Sequence, residues 1–277
     1  MKTNKDFDLK DKAHYLPTFK RFPVCFVKGQ GSYLWDVEGN KYLDLLAGIA
    51  VNCVGHSHPK MVKAIQEQAG QLIHISNFFT SDKQVLLSEK LKEISGMDRV
   101  FFSNSGAESV EGAVKIARKY AQSRGRGGVI LSFDSCFHGR TLATIAMGKR
   151  KYQKGFDPIP CGFRKLPAKD MDMVQEYCDK SVAAIIIEPI QGEGGIHPAE
   201  LEFMKELRLF CDRNDIVLIF DEIQCGIART GRWFAKDHYD VAPDVMTLAK
   251  GLGGGVPIGA ILSNEKVAEA IDYGDHG

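Results

Sequence analysis

The sequence predicts an α/β fold, a mainly parallel sheet flanked by helices, preceded by a small antiparallel segment. Three observations predict it. From Arg99 onward short apolar runs alternate with segments of helical periodicity, the pattern of parallel strands joined by crossover helices. The run Val182–Ile187 is apolar throughout, as a strand covered on both faces must be. Polar residues stand directly after four of the apolar runs, at Asn104-Ser105-Gly106, Glu188, Asp221 and Lys250. Open α/β sheets bind their ligands at the carboxyl ends of their strands.

The elements follow in order. Residues 31–46 read as an antiparallel pair, Tyr33-Leu34-Trp35-Asp36 and Tyr42-Leu43-Asp44, joined by the turn signal Glu38-Gly39-Asn40. After Pro59 the rhythm becomes helical over 61–73 and 85–94, and Arg99-Val100-Phe101-Phe102 is a short strand. Then come a helix over 109–121, strands over 129–133 and 143–147, and a helix over 171–178. Beyond the strand Val182–Ile187 lie a helix over 200–211 and strands over 216–220, 245–248 and 258–262. The expected domains are an N-terminal segment, 1–55, and a large domain, 56–277.

Composition narrows the function classes. In 277 residues, 44% are hydrophobic and 26% charged, with a net charge of +1, an ordinary globular balance that calls for neither nucleic acid nor anionic membrane as partner. The first dozen residues are polar and carry no apolar signal-peptide core, and no apolar run approaches membrane-span length. The seven cysteines are odd in number, scattered and without a Cys-x-x-Cys pair, which points to a reducing, cytoplasmic setting. Cys53, His56 and His58 cluster in sequence but do not complete a four-ligand site. A turn at Gly55-His56-Ser57-His58-Pro59 before a helix accounts for them, and no metal is expected.

The strand-end residues suggest one chemistry. Leu218-Ile219-Phe220 ends in Asp221, and Leu248-Ala249 leads to Lys250. Pyridoxal phosphate chemistry needs a lysine to hold the aldehyde as a Schiff base and an acid to keep the pyridine nitrogen protonated. Burial at a strand end lowers a lysine pKa and makes it a nucleophile and base. Gln224 is placed to donate to the phenolic oxygen of such a ring. Ser105, Gly106 and Ala107 open a helix whose free N–H groups and dipole suit a phosphate, and Ser105 with Glu108 fits a capping box. Phe137 offers a face for a flat ring, and Arg140 a planar fork for a carboxylate. In Glu188-Pro189-Ile190-Gln191-Gly192-Glu193-Gly194-Gly195, two carboxylates and clustered glycines suggest close backbone approach to a ligand. Taken singly, each motif also has a plain structural reading: a capped helix, a core phenylalanine with a solvated arginine, a polar loop, an aspartate capping a turn. The glycines after Lys250 fail as a dinucleotide fingerprint because Val256-Pro257-Ile258-Gly259 leads into a strand and not a helix.

Together and in this order, these segments resemble the class III, or ornithine-type, aminotransferases of the fold-type I pyridoxal phosphate superfamily. Gly31-Ser32-Tyr33-Leu34-Trp35-Asp36 and Gly55-His56-Ser57-His58-Pro59 belong to the likeness, which spans nearly the whole chain. The resemblance implies pyridoxal 5'-phosphate as cofactor and a fold-type I large domain. It implies that Lys250 is the Schiff-base lysine and proton shuttle, Asp221 the partner of the ring nitrogen, Gln224 the donor to the ring oxygen and Phe137 the stacking ring. Ser105, Gly106 and Ala107 would hold the phosphate and Arg140 a substrate carboxylate. Glu193 would gate a substrate-binding arginine, and Glu188 would support the site near Gln224. Phe137-His138-Gly139-Arg140-Thr141 and Ala47-Gly48-Ile49-Ala50-Val51 look most like the acetylornithine branch. That branch implies transfer from N2-acetylornithine to 2-oxoglutarate, giving N-acetylglutamate 5-semialdehyde and glutamate, in arginine biosynthesis. Siblings acting on ornithine, succinyldiaminopimelate or 4-aminobutyrate are the alternatives. Members of the family continue past the position of Gly277 into a small C-terminal domain and assemble as homodimers. The expectation is therefore a chain lacking that domain, part of the dimer contact and one phosphate ligand, with a fragment that does not turn over as the further alternative.

Overall fold

Thr3 starts the first helix. Its hydroxyl accepts from the Asp6 N–H at 3.2 Å and the Asp6 carboxylate accepts from the Thr3 N–H at 2.8 Å, a capping box that opens α1 (Asn4–His14). The computed structural model describes residues 2–275, and the chain divides after Phe79 into two units. In the first unit β1 (Phe26–Gln30), β2 (Tyr33–Asp36) and β3 (Lys41–Leu43) form an antiparallel sheet in that order. The sequence pattern signalled the last two; Lys28 and Gly29 interrupt the apolar alternation that would have marked β1. Asp36 closes the β2–β3 turn by accepting from the N–H groups of Glu38 and Asn40 and from the side chains of Asn4, Asn40 and Tyr42 at 2.8–3.0 Å. Burial works to raise its pKa, but these donors hold the carboxyl far below the usual range.

The single turn α2 (Ala47–Ala50) carries Gly48 and Ile49 in left-handed backbone, and α3 (Pro59–Ala69) starts on a proline, whose missing N–H costs nothing at a helix start. His56 bridges back to Gly31 through the backbone, and its Nε2 lies 2.6 Å from Asp44 Oδ2. Among the described residues no group of three His, Cys, Asp or Glu side chains is gathered to hold a metal. The division after Phe79 lies beyond the boundary expected after residue 55. The periodicity of α3 matches that of the later helices, whereas contacts assign it to the first unit.

The second unit opens with α4 (Asp82–Ser95), β4 (Arg99–Ser103), α5 (Gly106–Ser123) and β5 (Val129–Phe133). There follow α6 (Leu142–Met147), β6 (Phe163–Leu166), α7 (Met171–Tyr177), β7 (Val182–Ile187) and a two-residue hairpin, β8 (Ile190–Gln191) with β9 (His197–Pro198). Last come α8 (Leu201–Asn214), β10 (Val217–Asp221), β11 (Val245–Leu248), β12 (Gly259–Ser263) and α9 (Glu265–Ala268). The main sheet runs β4-β12-β11-β10-β7-β5-β6, and β12 alone runs opposite to the other strands, so the sheet is mainly parallel as expected.

Side-chain alternation sorts the core. Ala184, Ile186, Val217 and Ile219 pack with Val110, Ala113, Val114 and Ala117 of α5 on one face. Ile185, Ile187, Leu218 and Phe220 pack with Phe203, Met204 and Leu207 of α8 on the other. A third cluster joins Leu91 of α4 to Met246, Leu248, Ala260 and Leu262. No helix among the described residues is long and apolar enough to cross a membrane.

One element takes another form than its sequence reading, and the helix α1 and the strand β6 were not read from the sequence at all. Residues 143–147, expected as a strand, form the helix α6, with Thr144, Ile145 and Met147 buried. Five residues are too few for periodicity to separate strand from helix. Tertiary contacts decide: the Ser132 hydroxyl of β5 donates to the Met147 carbonyl at 2.9 Å, and α6 packs on α5.

Candidate active site

Each polar strand end lies in the second unit, and neighbouring backbone and side chains bring them together. After β4, Ser105 caps α5, its hydroxyl accepting from Glu108 N–H at 3.2 Å. The Glu108 carboxylate accepts from Asn104 N–H at 2.7 Å, one residue short of the capping box read from the sequence. The amides of Gly106 and Ala107 carry no hydrogen bond among the described residues. Gly106 is required by packing, since a Cβ there would lie 2.9 Å from Ile223 Cδ1 and 3.3 Å from Ala249 Cβ. The start of α5 is thereby set against the residues that follow Asp221 and precede Lys250.

The loop after β5 reaches the same place. A Cβ on Gly139 would lie 3.0 Å from Ala107 Cβ. Phe137 N–H donates to Glu188 Oε1 at 2.9 Å, and Gly192 N–H donates to Glu188 Oε2 at 3.2 Å. Glu188 therefore ties the aromatic loop to the glycine loop. Burial pushes its carboxyl up, His138 opposes that rise and Asp221 adds to it. Gln224, half-buried and without a hydrogen bond among the described residues, lies across Gly192, where any Cβ would fall 1.5 Å from Gln224 Oε1. Glu188 thus reaches the Gln224 region through Gly192.

Asp221 ends β10 and is buried. Its Oδ1 accepts from Ile223 N–H at 3.1 Å and faces the Thr247 hydroxyl at 3.4 Å, and its Oδ2 lies 2.7 Å from Nδ1 of His138. His138 carried no role in the sequence reading. The one signal that could have found it is the need of a buried carboxylate for a donor, with a histidine inside the motif at 137–140.

Lys250 follows β11 in a 3-10 turn with a left-handed backbone, φ 44°, a conformation that costs a non-glycine residue about 1–3 kcal/mol and marks functional positions. Burial pushes its ammonium pKa down, opposed by the carboxylates of Asp221 and Glu188. No hydrogen bond or ion pair holds Lys250 Nζ among the described residues.

At the outer edge Arg140 is exposed, its guanidinium 3.7 Å from the Tyr152 ring centroid and 5.4 Å from that of Phe137. Phe137 and Tyr152 meet edge to face at 6.1 Å. Glu193 pairs with Lys149 and accepts from the Tyr152 hydroxyl at 2.6 Å. Burial raises the Glu193 pKa, but Lys149 and Tyr152 outweigh it and leave it lowered. Lys149 and Tyr152 are the other site residues that the sequence reading missed. They come from a turn after α6 that carries no motif.

A carboxylate held by three donors, a half-buried amine, open amides at a helix start and an aromatic face form a donor set for a planar, phosphorylated aldehyde. The family profile described as aminotransferase class-III matches residues 15–277. The acetylornithine aminotransferase of Methanocaldococcus jannaschii is 54% identical over 270 residues, covering 96% of this chain and 68% of that protein. The enzyme of the same name from Caldanaerobacter subterraneus subsp. tengcongensis is 50% identical over 269 residues, with coverage of 96% and 68%. Among solved structures, ornithine aminotransferase from Toxoplasma gondii ME49 superposes with a TM-score of 0.95 at 34% identity, covering 100% of this chain and 67% of that one. Another structure of the T. gondii enzyme has pyridoxal phosphate at partial occupancy in its active site. This chain spans about two thirds of the length of each of these proteins.

Proposed function

Because the chain belongs to the class-III aminotransferases, pyridoxal phosphate-dependent transferases, we propose that it moves an amino group from N2-acetylornithine to 2-oxoglutarate. The cofactor, when bound, supplies an aldehyde and an electron-withdrawing ring. The residues of the site fit it: the unbonded amides of Gly106 and Ala107, with Ser105 beside them, suit its phosphate. Phe137 would cover its ring, Gln224 would bond the ring oxygen, and Asp221 would take the ring nitrogen. Lys250 Nζ would hold the aldehyde of the cofactor and, as an amine whose pKa burial lowers, would serve as the base that carries a proton between substrate carbon and cofactor carbon. Arg140 would bind a substrate carboxylate, and Glu193, seated on Lys149 and Tyr152, would gate a substrate-binding arginine.

What supports this reading above all is the half-buried Lys250, unpaired and strained at the same sheet edge as buried Asp221. Lys250→Ala is expected to lower transamination by at least about 10²–10⁴-fold and to abolish the cofactor colour that an amino donor bleaches. An unchanged rate in that variant overturns the role. The donor rests on the names of the relatives at 45–54% identity, whereas the T. gondii structure at 34% is an ornithine enzyme. Steady-state rates with N2-acetylornithine, ornithine, succinyldiaminopimelate and 4-aminobutyrate decide between them, and a higher kcat/KM for any of the other three replaces the donor proposed. Self-association as a homodimer belongs to the same proposal. It is supported by the apolar side chains that the first unit leaves exposed, such as Phe22, Ile73 and Phe78. Sedimentation velocity tests it, and a monomer at micromolar concentration removes it.

A further inference from the structure

Asp221 has about four lone-pair sites, and the chain fills three of them: Ile223 N–H and the Thr247 hydroxyl on Oδ1, and His138 Nδ1 on Oδ2. In either charge state of the imidazole Nδ1 carries the hydrogen, because the carboxylate has none to give. The histidine is fully enclosed. Its Nε2 is buried with no hydrogen-bond partner among the described residues, and its Nδ1 is bonded to Asp221. Burying an imidazole with an orphaned nitrogen costs more than burying a leucine of similar size. A residue serving packing alone would not need that nitrogen. The neighbours repeat the same geometry: Phe137 N–H is fixed by Glu188 and Gly139 abuts Ala107, so the loop that carries His138 is anchored on both sides of it. Burial alone would strip the imidazole of its proton. Nearby Cys136 and the bond to Asp221 reverse that and keep its pKa well above the ordinary value.

We propose that His138 is a positioning residue of this site: its Nδ1–H fixes the Asp221 carboxylate so that the remaining lone pair meets the nitrogen of the cofactor ring. The inference rests on the reading of Asp221 given above, and the experiment separates the two. Pyridoxal phosphate labelled with 15N at the ring nitrogen is titrated into the wild-type protein, His138→Leu, His138→Asn and Asp221→Asn. The dissociation constant and the 15N shift are read in each. In His138→Leu the dissociation constant is expected to rise about tenfold, the loss of one charge-assisted bond, and the 15N shift to move toward the unprotonated value. His138→Asn, whose side-chain N–H stands near the place of Nδ1, is expected to recover most of both changes. A leucine variant with wild-type shift and an affinity within about twofold overturns the proposal. A protonated ring nitrogen in Asp221→Asn overturns the Asp221 reading instead. Should the leucine variant fail to fold, as seen by circular dichroism without cofactor, the wild-type protein decides. The imidazole N–H resonance that disappears in His138→Asn is expected to shift on cofactor addition, and a resonance that stays in place sinks the proposal.

Discussion

The first unit buries one described side chain, the carboxylate of Asp36, whereas the second buries three apolar clusters across both faces of its main sheet. The two are held by different forces. Hydrogen bonds around Asp36 and the Asp44–His56 pair fix the turns of the first unit, while Leu45, Ile73 and Phe78 stand exposed. Each such bond adds a net ~1 kcal/mol, against a chain-entropy cost of about 1–2 kcal/mol per ordered residue. Polar anchoring specifies a local shape without supplying the stability of an apolar core. The second unit has that core, and its site sits on the strand ends that the core makes rigid.

The strongest way to break this contrast is a pair of truncations. Ile186→Ala, in the fully buried β7, is expected to cost about 2–5 kcal/mol in urea unfolding, and exposed Leu45→Ala no more than about 0.5 kcal/mol. Equal losses would remove the distinction. A smaller effect tests polar burial within the second unit. Glu222, adjoining Asp221, accepts from the N–H groups of Ala235 and Lys236 at 2.6 and 2.8 Å, and burial pushes its pKa up to about 7. Its folded value lies above the unfolded one, so it binds the proton more tightly when folded. Its contribution to stability is then greatest below the ordinary glutamate range and is lost as pH rises toward 7, by up to about 3 kcal/mol. Glu222→Gln should flatten that slope in chemical denaturation at pH 5 and pH 7.5, and a slope unchanged by the substitution would reassign it. The smallest effect is local: Asp36→Asn should speed amide hydrogen exchange at Glu38 and Asn40 while leaving protection in β7 and β10 as it was. Loss of protection in those strands would mean that the first unit's network supports more than its own turns.

Much of the site was legible because it follows from local rules. Asp221 and Lys250 were visible as polar residues ending apolar runs, and Ser105 with Gly106 as the start of a helix. The partners of these residues were not legible. His138 lies 83 positions from Asp221, Glu188 51 from Phe137, and Tyr152 41 from Glu193, and no pattern over a few residues encodes such pairings.

The sequence by itself determined the α/β class, the fully covered β7, the mainly parallel order of strands and the residues at their ends, because burial on one or two faces imposes a period on the chain. Only the tertiary structure decided that 142–147 is helical, that α3 belongs with the first unit, and that Asp221 is held by a histidine with one orphaned nitrogen. The reason is the same in each case. Short or polar segments take their conformation and their partners from what packs against them, and that information lies elsewhere in the chain. The Asp221 and Lys250 pair was already written at two strand ends; what the fold adds to this candidate site is the set of distant residues that hold Asp221 and the burial that lowers the Lys250 pKa.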